Sequence, residues 1–306
     1  MKTLAIIYNP ESGRGLLKKA LPEVVKRLEA KGFTCNIHPT EYAGHASELY
    51  FKANQEGCDR VLISGGDGTI HEVVQTASTL SNPTPLVYCP SGTACDLART
   101  LGIPKNPLKA LELMDDQNLA YMDIGQTLKR SFVYVSAVGH YVDISYKADQ
   151  NLKRMFGFFA YILVGIKSFF KVSRIPAVLV VDDQTINTHF SLILILNSRY
   201  VANFDVVKNP QLDDGVFNVI AFPYKPFLNN LFFLAVFVFR RRHIPGVYYF
   251  QGKSIIVETE EKQVWTQDGE KGDVGTQKIH ILSRKLPIYI NPIKRSLFTQ
   301  FDEKTT

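Results

Sequence analysis

Residues 65–69 combine three glycines, an aspartate and a threonine directly after a short apolar run, and a helical pattern begins there. Glycines let a backbone approach a ligand closely, and the N-terminal amides of a helix favour a phosphate. A carboxylate such as that of Asp67 repels a phosphate unless a cation lies between them. The lysine of a Walker loop is missing, so this stretch alone fits either a nucleotide site or a tight turn in which Asp67 caps the helix.

A second loop, at residues 90–99, repeats this combination of glycine, threonine and aspartate after another apolar run. A third aspartate, Asp123, lies where the pattern of the first half of the chain ends. Carboxylates that converge beside a phosphate need a hard cation between them, and Mg²⁺ prefers carboxylate, water and phosphate oxygens. The sequence therefore predicts that Asp67 helps to hold Mg²⁺ against a nucleotide, directly or through water.

The first 125 or so residues alternate short apolar runs with helical patterns, which predicts a parallel sheet with helices on both faces. Ligands of such sheets bind beyond the carboxyl ends of the strands. The predicted strands are 3–9, 34–40, 60–65 and 85–90, the helices are 16–30, 44–56 and 69–80, and the loops of interest are 9–15, 40–45, 64–69 and 90–96.

The second half of the chain changes character and predicts a mostly antiparallel β domain. Its alternating runs are 132–137, 177–182, 190–196, 216–222, 254–259 and 279–282. Two apolar stretches, 155–170 and 231–239, interrupt this pattern. Both are shorter than the roughly 20 residues of a membrane span and are bounded by basic residues. They fit helices packed on a sheet, or an interfacial helix that contacts lipid.

Length and composition fit a soluble two-domain protein, since 306 residues are long for a single core. The formal charge of +6 weakly favours an anionic partner such as a nucleotide or a membrane surface, although a solvated basic face explains it equally well. The four cysteines show no metal or disulfide spacing, and the N-terminus lacks a signal-peptide cleavage site. We therefore expect a cytoplasmic protein without a nucleic-acid partner.

The ordered motifs resemble the diacylglycerol kinase catalytic family, which includes bacterial soluble diacylglycerol kinases, related lipid kinases and sphingosine kinases. The resemblance implies a nucleotide-binding α/β domain at 1–126, to which 287–306 return, and a β-sandwich-like lipid-substrate domain at 127–286, with the active site in the cleft between them. The matching motifs are "NPESGRG" (9–15), "GGDGTIHEV" (65–73), "SGTACDLAR" (91–99), "LDDG" (212–215) and "QDGE" (267–270).

The same resemblance implies the site residues. Asp67, Asp96 and Asp123 match a network of metal and water. Arg14 and Arg99 are candidates to balance phosphate charge, or are ordinary surface cations. The implied nucleotide contacts are Asn9, Pro10, Glu11, Ser12, Gly13, Arg14, Thr40, Gly65, Gly66, Asp67, Gly68, Thr69, Ile70, His71, Thr93 and Arg99.

A second, structural Mg²⁺ site is implied at 211–216, with the Asp214 carboxylate and backbone oxygens near Gln211 and Val216. An Asp-Gly hairpin turn that needs no metal explains the same residues.

Transfer of a phosphoryl group to an alcohol needs a group that accepts the hydroxyl proton. "QDGE" offers Asp268 and Glu270, and Asp268 is the first choice because it precedes a glycine that permits close approach. Two departures from the family affect base contacts and acceptor identity. His71 and Cys95 stand where the family usually has asparagine, and "YVANFD" (200–205) replaces a glycine-rich stretch.

These features predict an ATP-dependent, Mg²⁺-requiring lipid kinase that converts diacylglycerol to phosphatidic acid. Its expected partner is a lipid at an anionic membrane interface, which it visits transiently from the cytoplasm, and a homodimer is possible. A soluble kinase like NAD kinase shares the GGDGT loop but lacks the late DGE element and the apolar helices. A lipid-binding protein without turnover has the same fold but no need for clustered carboxylates.

Overall fold

The computed structural model describes residues 2–139, 172–201, 204–226, 228–240 and 244–302, and the element labels below number what it describes. The chain divides into two compact units. The first contains the described residues of 1–124, 211–215 and 282–306, and the second those of 125–210 and 216–281.

The first unit is an α/β fold, as predicted. Its strands are β1 (Lys2–Tyr8), β2 (Phe33–Pro39), β3 (Arg60–Gly65), β4 (Leu86–Pro90) and most of β5 (Leu119–Gln126). Its helices are α1 (Leu16–Ala30), α2 (His45–Gln55), α3 (Asp67–Thr79), α4 (Asp96–Leu101) and α5 (Pro107–Glu112). Short 3₁₀ turns lie at Ser12–Arg14, Asp116–Asn118, Pro292–Leu297 and Thr299–Phe301.

Parallel pairing gives the strand order β2, β1, β3, β4. Ile288, on a strand near the C-terminus, then pairs in parallel with Leu86 of β4. Strands that are covered on both faces read as continuous apolar runs, and β1 is buried from Leu4 to Tyr8. The loops after β1, β3 and β4 consequently emerge at the same edge of this sheet.

The second unit is antiparallel, also as predicted. Its strands are β6 (Ser131–Phe132), β7 (Val135–Gly139), β8 (Ile175–Val181), β9 (Gln184–Leu196), β10 (Tyr200–Val201), β11 (Phe204–Asp205), β12 (Phe217–Pro223), β13 (Tyr248–Gly252), β14 (Ile255–Thr259), β15 (Val264–Gln267), β16 (Glu270–Val274) and β17 (Gln277–Tyr289), which continues into the first unit from Leu282. The long strand β9 pairs with β8 along its first half and with β7 and β12 along its second. The apolar core of this unit includes Phe132, Phe190, Phe217 and Trp265.

The apolar stretch predicted as a helix at 231–239 forms α6 (Asn229–Phe233) followed by a π-helical segment, Leu234–Val238. The other predicted apolar helix, 155–170, lies outside the described residues. Among the helices that the structure describes, none combines the length and the apolar character that crossing a bilayer requires.

The unit boundaries shift from the predicted spans by two residues at 125–126 and by five at 282–286, and one further segment changes unit. Residues 211–215 belong to the first unit, although the predicted second domain includes them. The reason lies in their hydrogen bonds: the N–H of Leu212 donates to the Leu297 carbonyl, and the Leu212 carbonyl accepts from Asp123. Both partners belong to the first unit.

Candidate active site

Three loops, which follow β1, β3 and β4, contact one another at the carboxyl edge of the first unit's sheet. The N–H of Asn9 donates to the Ser64 carbonyl, and the N–H of Ser91 donates to the Gly65 carbonyl, each at 2.9 Å. The Ser91 hydroxyl donates to the Ser12 hydroxyl at 2.8 Å. The structure thus brings together the glycine-containing motifs that the sequence placed far apart.

Close packing between these loops explains two of their glycines. A Cβ on Gly92 would lie 2.6 Å from the Cα of Gly66, and a Cβ on Gly13 would lie 2.6 Å from the Ser91 carbonyl oxygen. Gly13 also has a φ of 58°, a left-handed conformation that favours glycine. Part of the glycine pattern therefore serves contact between the loops themselves, in addition to any ligand.

Asp67 is the first residue of α3, yet its carboxylate caps a different helix. Its two oxygens accept the backbone N–H groups of Cys95 at 2.9 Å and Asp96 at 3.1 Å, at the start of α4. The N-cap of α3, Gly66, has no side-chain cap. The helix begins two residues earlier than predicted, and Asp67 remains partly exposed while two amides fix its orientation.

The three aspartates predicted to form a metal network differ in their surroundings. Asp96 is buried, and Asp123 is fully buried with its oxygens accepting the N–H groups of Gly215 at 2.6 Å and Arg284 at 2.7 Å. Within the described ranges, no three His, Cys, Asp or Glu side chains form a group that could hold a metal ion. Burial raises the pKa of Asp123 to about 6, although these two amides oppose the shift.

The two aspartates of the "LDDG" motif differ in burial. Asp213 is buried, and its carboxylate accepts the N–H groups of Thr299 at 2.7 Å and Gln300 at 3.0 Å, so it holds the C-terminal segment. Asp214, the predicted ligand of a structural ion, is exposed. The buried Oε1 of Gln211 has no hydrogen-bond partner among the described atoms.

In the second unit, Asp268 lies in a cage of backbone amides. Its carboxylate accepts the N–H groups of Val133 at 2.8 Å, Tyr134 at 2.9 Å and Val135 at 3.0 Å. The side chain is 1% exposed, and the backbone has a φ of 51°. The Tyr134 hydroxyl also donates to the Asp268 carbonyl. This arrangement argues against Asp268 as the residue that accepts a substrate proton, because both of its oxygens already hold the fold.

Glu270, two residues later, begins β16 with an exposed side chain. Its backbone is fixed, since it pairs with Gln267 across the turn and its carbonyl accepts the Thr266 hydroxyl at 2.9 Å. The turn thus presents one buried carboxylate and one exposed carboxylate on a rigid hairpin. Of the two, Glu270 is the one that solvent and ligands can reach.

Comparisons with known proteins identify the family of the chain. The model for the diacylglycerol kinase catalytic domain matches residues 3–127. Diacylglycerol kinase of Staphylococcus carnosus strain TM300 is 32% identical over 274 residues, which cover 89% of each chain. The chain belongs to the diacylglycerol kinase family. Diacylglycerol kinase of Bacillus subtilis strain 168 is 31% identical over 276 residues, or 89% of this chain and 91% of that relative.

The fold has solved counterparts as well. A crystal structure of a candidate diacylglycerol kinase from Bacillus anthracis strain Sterne superposes with a TM-score of 0.82 at 24% identity, over 95% of this chain and 96% of that one. The predicted family and fold class are thereby confirmed. Family membership makes the chain a lipid kinase, an enzyme that transfers a phosphoryl group to an alcohol with ATP as the implied donor.

The residues that the family resemblance assigned to the nucleotide differ in exposure. Arg14, Thr93 and Arg99 are exposed and accessible to a ligand. Ile70 is fully buried in the kinase core, and His71 is buried with its Nε2 3.2 Å from the Gln75 side-chain nitrogen. These two side chains belong to the interior of α3, so any nucleotide contact from them would come from the backbone.

Several predicted nucleotide residues already have structural partners. The Asn9 side chain accepts the N–H of Glu11 at 3.0 Å, which closes the turn after β1. The N–H of Thr40 donates to the Tyr8 carbonyl at 2.9 Å, which fixes the end of β2 beside β1. These two hydrogen bonds fix the shape of the loops. A nucleotide would therefore be bound by other backbone groups of the same loops.

Sequence reasoning missed two residues that brace the site of this kinase. Lys105 Nζ donates to the carbonyls of Gly92 and Thr93, each at 3.2 Å. The Glu72 carboxylate accepts the N–H groups of Gly44 at 2.9 Å and Ala46 at 3.2 Å, and so caps α2 from α3. Glu72 lies inside the quoted "GGDGTIHEV" motif, which was a usable signal, whereas nothing in the sequence marks Lys105.

Proposed function

We propose that this kinase phosphorylates diacylglycerol to phosphatidic acid, with ATP as donor and Mg²⁺ as the required ion. Both curated relatives named above are diacylglycerol kinases, and they match nearly the whole chain. The observation that carries the proposal is the contact of three glycine-containing loops at one sheet edge, with the carboxylate of Asp67 fixed among them.

Backbone amides at this edge are the proposed phosphate donors. The loops Asn9 to Arg14 and Gly65 to Thr69 would bind the phosphates of ATP. The second loop leads into the N-terminus of α3, whose free amides favour negative charge. The exposed Arg14 and Arg99 would add positive charge on the same unit. Because these groups would hold the phosphates in one geometry, the lipid hydroxyl could attack without further rearrangement of the nucleotide.

Asp67 fits a Mg²⁺ ion better than Asp123 does. Asp67 is partly exposed and oriented by two amides, whereas Asp123 is fully buried and holds the backbone of Gly215 and Arg284. A bound Mg²⁺ would neutralise charge on the transferred phosphoryl oxygens. In this proposal Asp67 is the nearest protein ligand, directly or through water, and Asp123 positions the neighbouring backbone.

A second ion at 211–216 is part of the proposal. Asp214 would supply its only carboxylate, and backbone oxygens near Gln211 and Val216 the rest, a ligand set that suits a hard cation. The exposure of Asp214 and the unpartnered Oε1 of Gln211 support a polar ligand at this loop.

Glu270 is the proposed acceptor of the hydroxyl proton. It is the exposed carboxylate of the hairpin, and the amide cage of Asp268 holds that hairpin rigid. A positioned carboxylate that removes the proton during attack makes the lipid oxygen a better nucleophile.

The decisive experiment incubates the pure protein with γ-labelled ATP, Mg²⁺ and, in separate reactions, diacylglycerol, sphingosine, phosphatidylglycerol and NAD. We expect label in phosphatidic acid, and an Asp67→Asn variant should transfer at least about 10²-fold more slowly, the size of a lost electrostatic contact at a reacting centre. Asp183→Asn, which changes an exposed aspartate in the second unit, is the matched control.

The outcomes separate the alternatives. Label in NAD alone would identify a soluble kinase acting on a nucleotide, and label in sphingosine alone would correct the acceptor. Transfer to none of the four, by a protein that still binds diacylglycerol, would identify a lipid-binding protein without turnover. Wild-type rates in Asp67→Asn would overturn the role given to that carboxylate.

A further inference from the structure

The segment from Leu228 to Arg240 is apolar on both sides. Its inner side packs on the second unit: Phe232, Phe233 and Val236 are buried, and the rings of Phe222 and Phe233 lie 4.9 Å apart. Helices on the surface of globular proteins usually carry polar residues opposite such a face. This segment exposes large apolar side chains instead, so its outer side needs a separate explanation.

The outer side exposes four large apolar side chains, which we call the leucine face. They are Leu228, Leu231, Leu234 and Phe239, which are 44%, 58%, 37% and 65% exposed. The three leucines are spaced by three residues and therefore lie along one side of the helix. Contiguous exposed apolar groups on soluble proteins mark surfaces that contact a partner or a membrane.

Charge identifies the kind of partner. From Gly215 to Val257 the sequence has no Asp or Glu, and it has five lysines and arginines. Two of these, Lys225 and Arg240, are exposed just before and after the leucine face. A second copy of the chain would bring the same positive charge against this surface, whereas an anionic bilayer complements both the charge and the leucines.

We infer that the leucine face docks on the surface of an anionic bilayer. Its leucines and Phe239 would enter the boundary between headgroups and acyl chains. Lys225 and Arg240 would keep their charged ends among the headgroups while their stems lie along the apolar layer. This inference rests on the proposed function, because membrane docking would bring the enzyme to a diacylglycerol that stays in the bilayer. Vesicle binding can nevertheless be measured without any turnover.

The test is binding to vesicles without ATP or diacylglycerol. Sedimentation is compared for vesicles of phosphatidylglycerol with phosphatidylcholine and for phosphatidylcholine alone. The variants are Leu231→Gln, the double variant Leu228→Gln/Leu231→Gln, and Arg240→Gln. Leu128→Gln is the matched control, because Leu128 is 91% exposed in the second unit and outside the leucine face.

We expect Leu231→Gln to weaken binding to anionic vesicles about tenfold, as the loss of one partly inserted leucine requires, and the double variant to weaken it further. Arg240→Gln should weaken binding to anionic vesicles and reduce its dependence on salt. Leu128→Gln should bind like the wild type. Thermal melting of each variant checks that these surface changes leave the fold intact.

Three results would overturn the inference: a wild type that does not bind anionic vesicles, leucine-face variants that bind as well as the wild type, or an equal loss in Leu128→Gln. If Leu231→Gln instead converts a dimer to a monomer with unchanged vesicle binding, a second copy covers this face. Phosphorylation of a short-chain, water-soluble diacylglycerol separates the two proposals. It should be unchanged in the variants, and its absence in the wild type would refute the proposed function alone.

Discussion

Asp67 and Asp268 lie in similar glycine-containing turns, but the structure uses them differently. Asp67 accepts two amides from a neighbouring loop and stays partly exposed. Asp268 accepts three amides and is almost completely buried. A carboxylate that is fixed yet reachable can serve a ligand, whereas one enclosed by amides serves the fold. Similar motifs can therefore suit different functions, depending on how many backbone groups surround the side chain.

The comparison predicts its largest effect at Glu270. If Asp268 is structural, the chemistry of the hairpin falls to Glu270, and Glu270→Gln should lower turnover by roughly 10²–10⁴-fold, as expected for a lost general base. ATP affinity and the unfolding transition should not change, because the glutamine keeps the shape of an exposed side chain. Steady-state kinetics with titrated ATP measure this. Near-normal turnover would remove Glu270 from the mechanism.

Asp268→Asn should act on stability. An asparagine offers one acceptor oxygen and turns an NH₂ group toward amide donors, so we expect a loss of unfolding free energy on the order of 3 kcal/mol. Urea unfolding measures it, with Glu270→Gln as the control on the same hairpin and Asp67→Asn as the comparison, for which we expect a smaller loss. A fully stable Asp268→Asn protein that has lost transfer would instead make Asp268 the base.

The sequence predicted the scaffold well because the scaffold follows from local periodicity. The helix expected at 16–30 is observed as Leu16–Ala30, and the apolar runs of the first half became parallel strands. The partners of the carboxylates were not predictable. Asp67 caps a helix 28 residues away in sequence, and Asp268 meets amides more than 130 residues away. Such contacts depend on how loops meet in space, which residue types and spacing do not encode.

Asp123, a buried aspartate of the first unit, should make the free energy of unfolding depend on pH. Burial raises its pKa to about 6 in the folded protein, against about 3.9 in an unfolded chain. Between these values the folded state binds more protons than the unfolded state, so stability falls as pH rises from about 4 to about 6. We expect this carboxyl group to account for a decline on the order of 2 kcal/mol, measured by urea unfolding without Mg²⁺. Asp123→Asn should flatten this part of the profile, and an identical decline in the variant would assign it to other groups.

The smallest effect tests whether the loops around Asp67 are held by their own packing. A Cβ on Gly92 would lie 2.6 Å from the Cα of Gly66, whereas a Cβ on Gly66 would lie 3.4 Å from the Cα of Gly92. Gly92→Ala should therefore force the backbones apart and cost about 1–2 kcal/mol of unfolding free energy, and Gly66→Ala clearly less. Neither glycine has a positive φ, so the pair isolates the steric term from backbone strain. Unfolding is measured without nucleotide, so that ligand binding cannot contribute. If the two variants are equally stable, the loops have room to separate, and the glycines are there for the ligand alone.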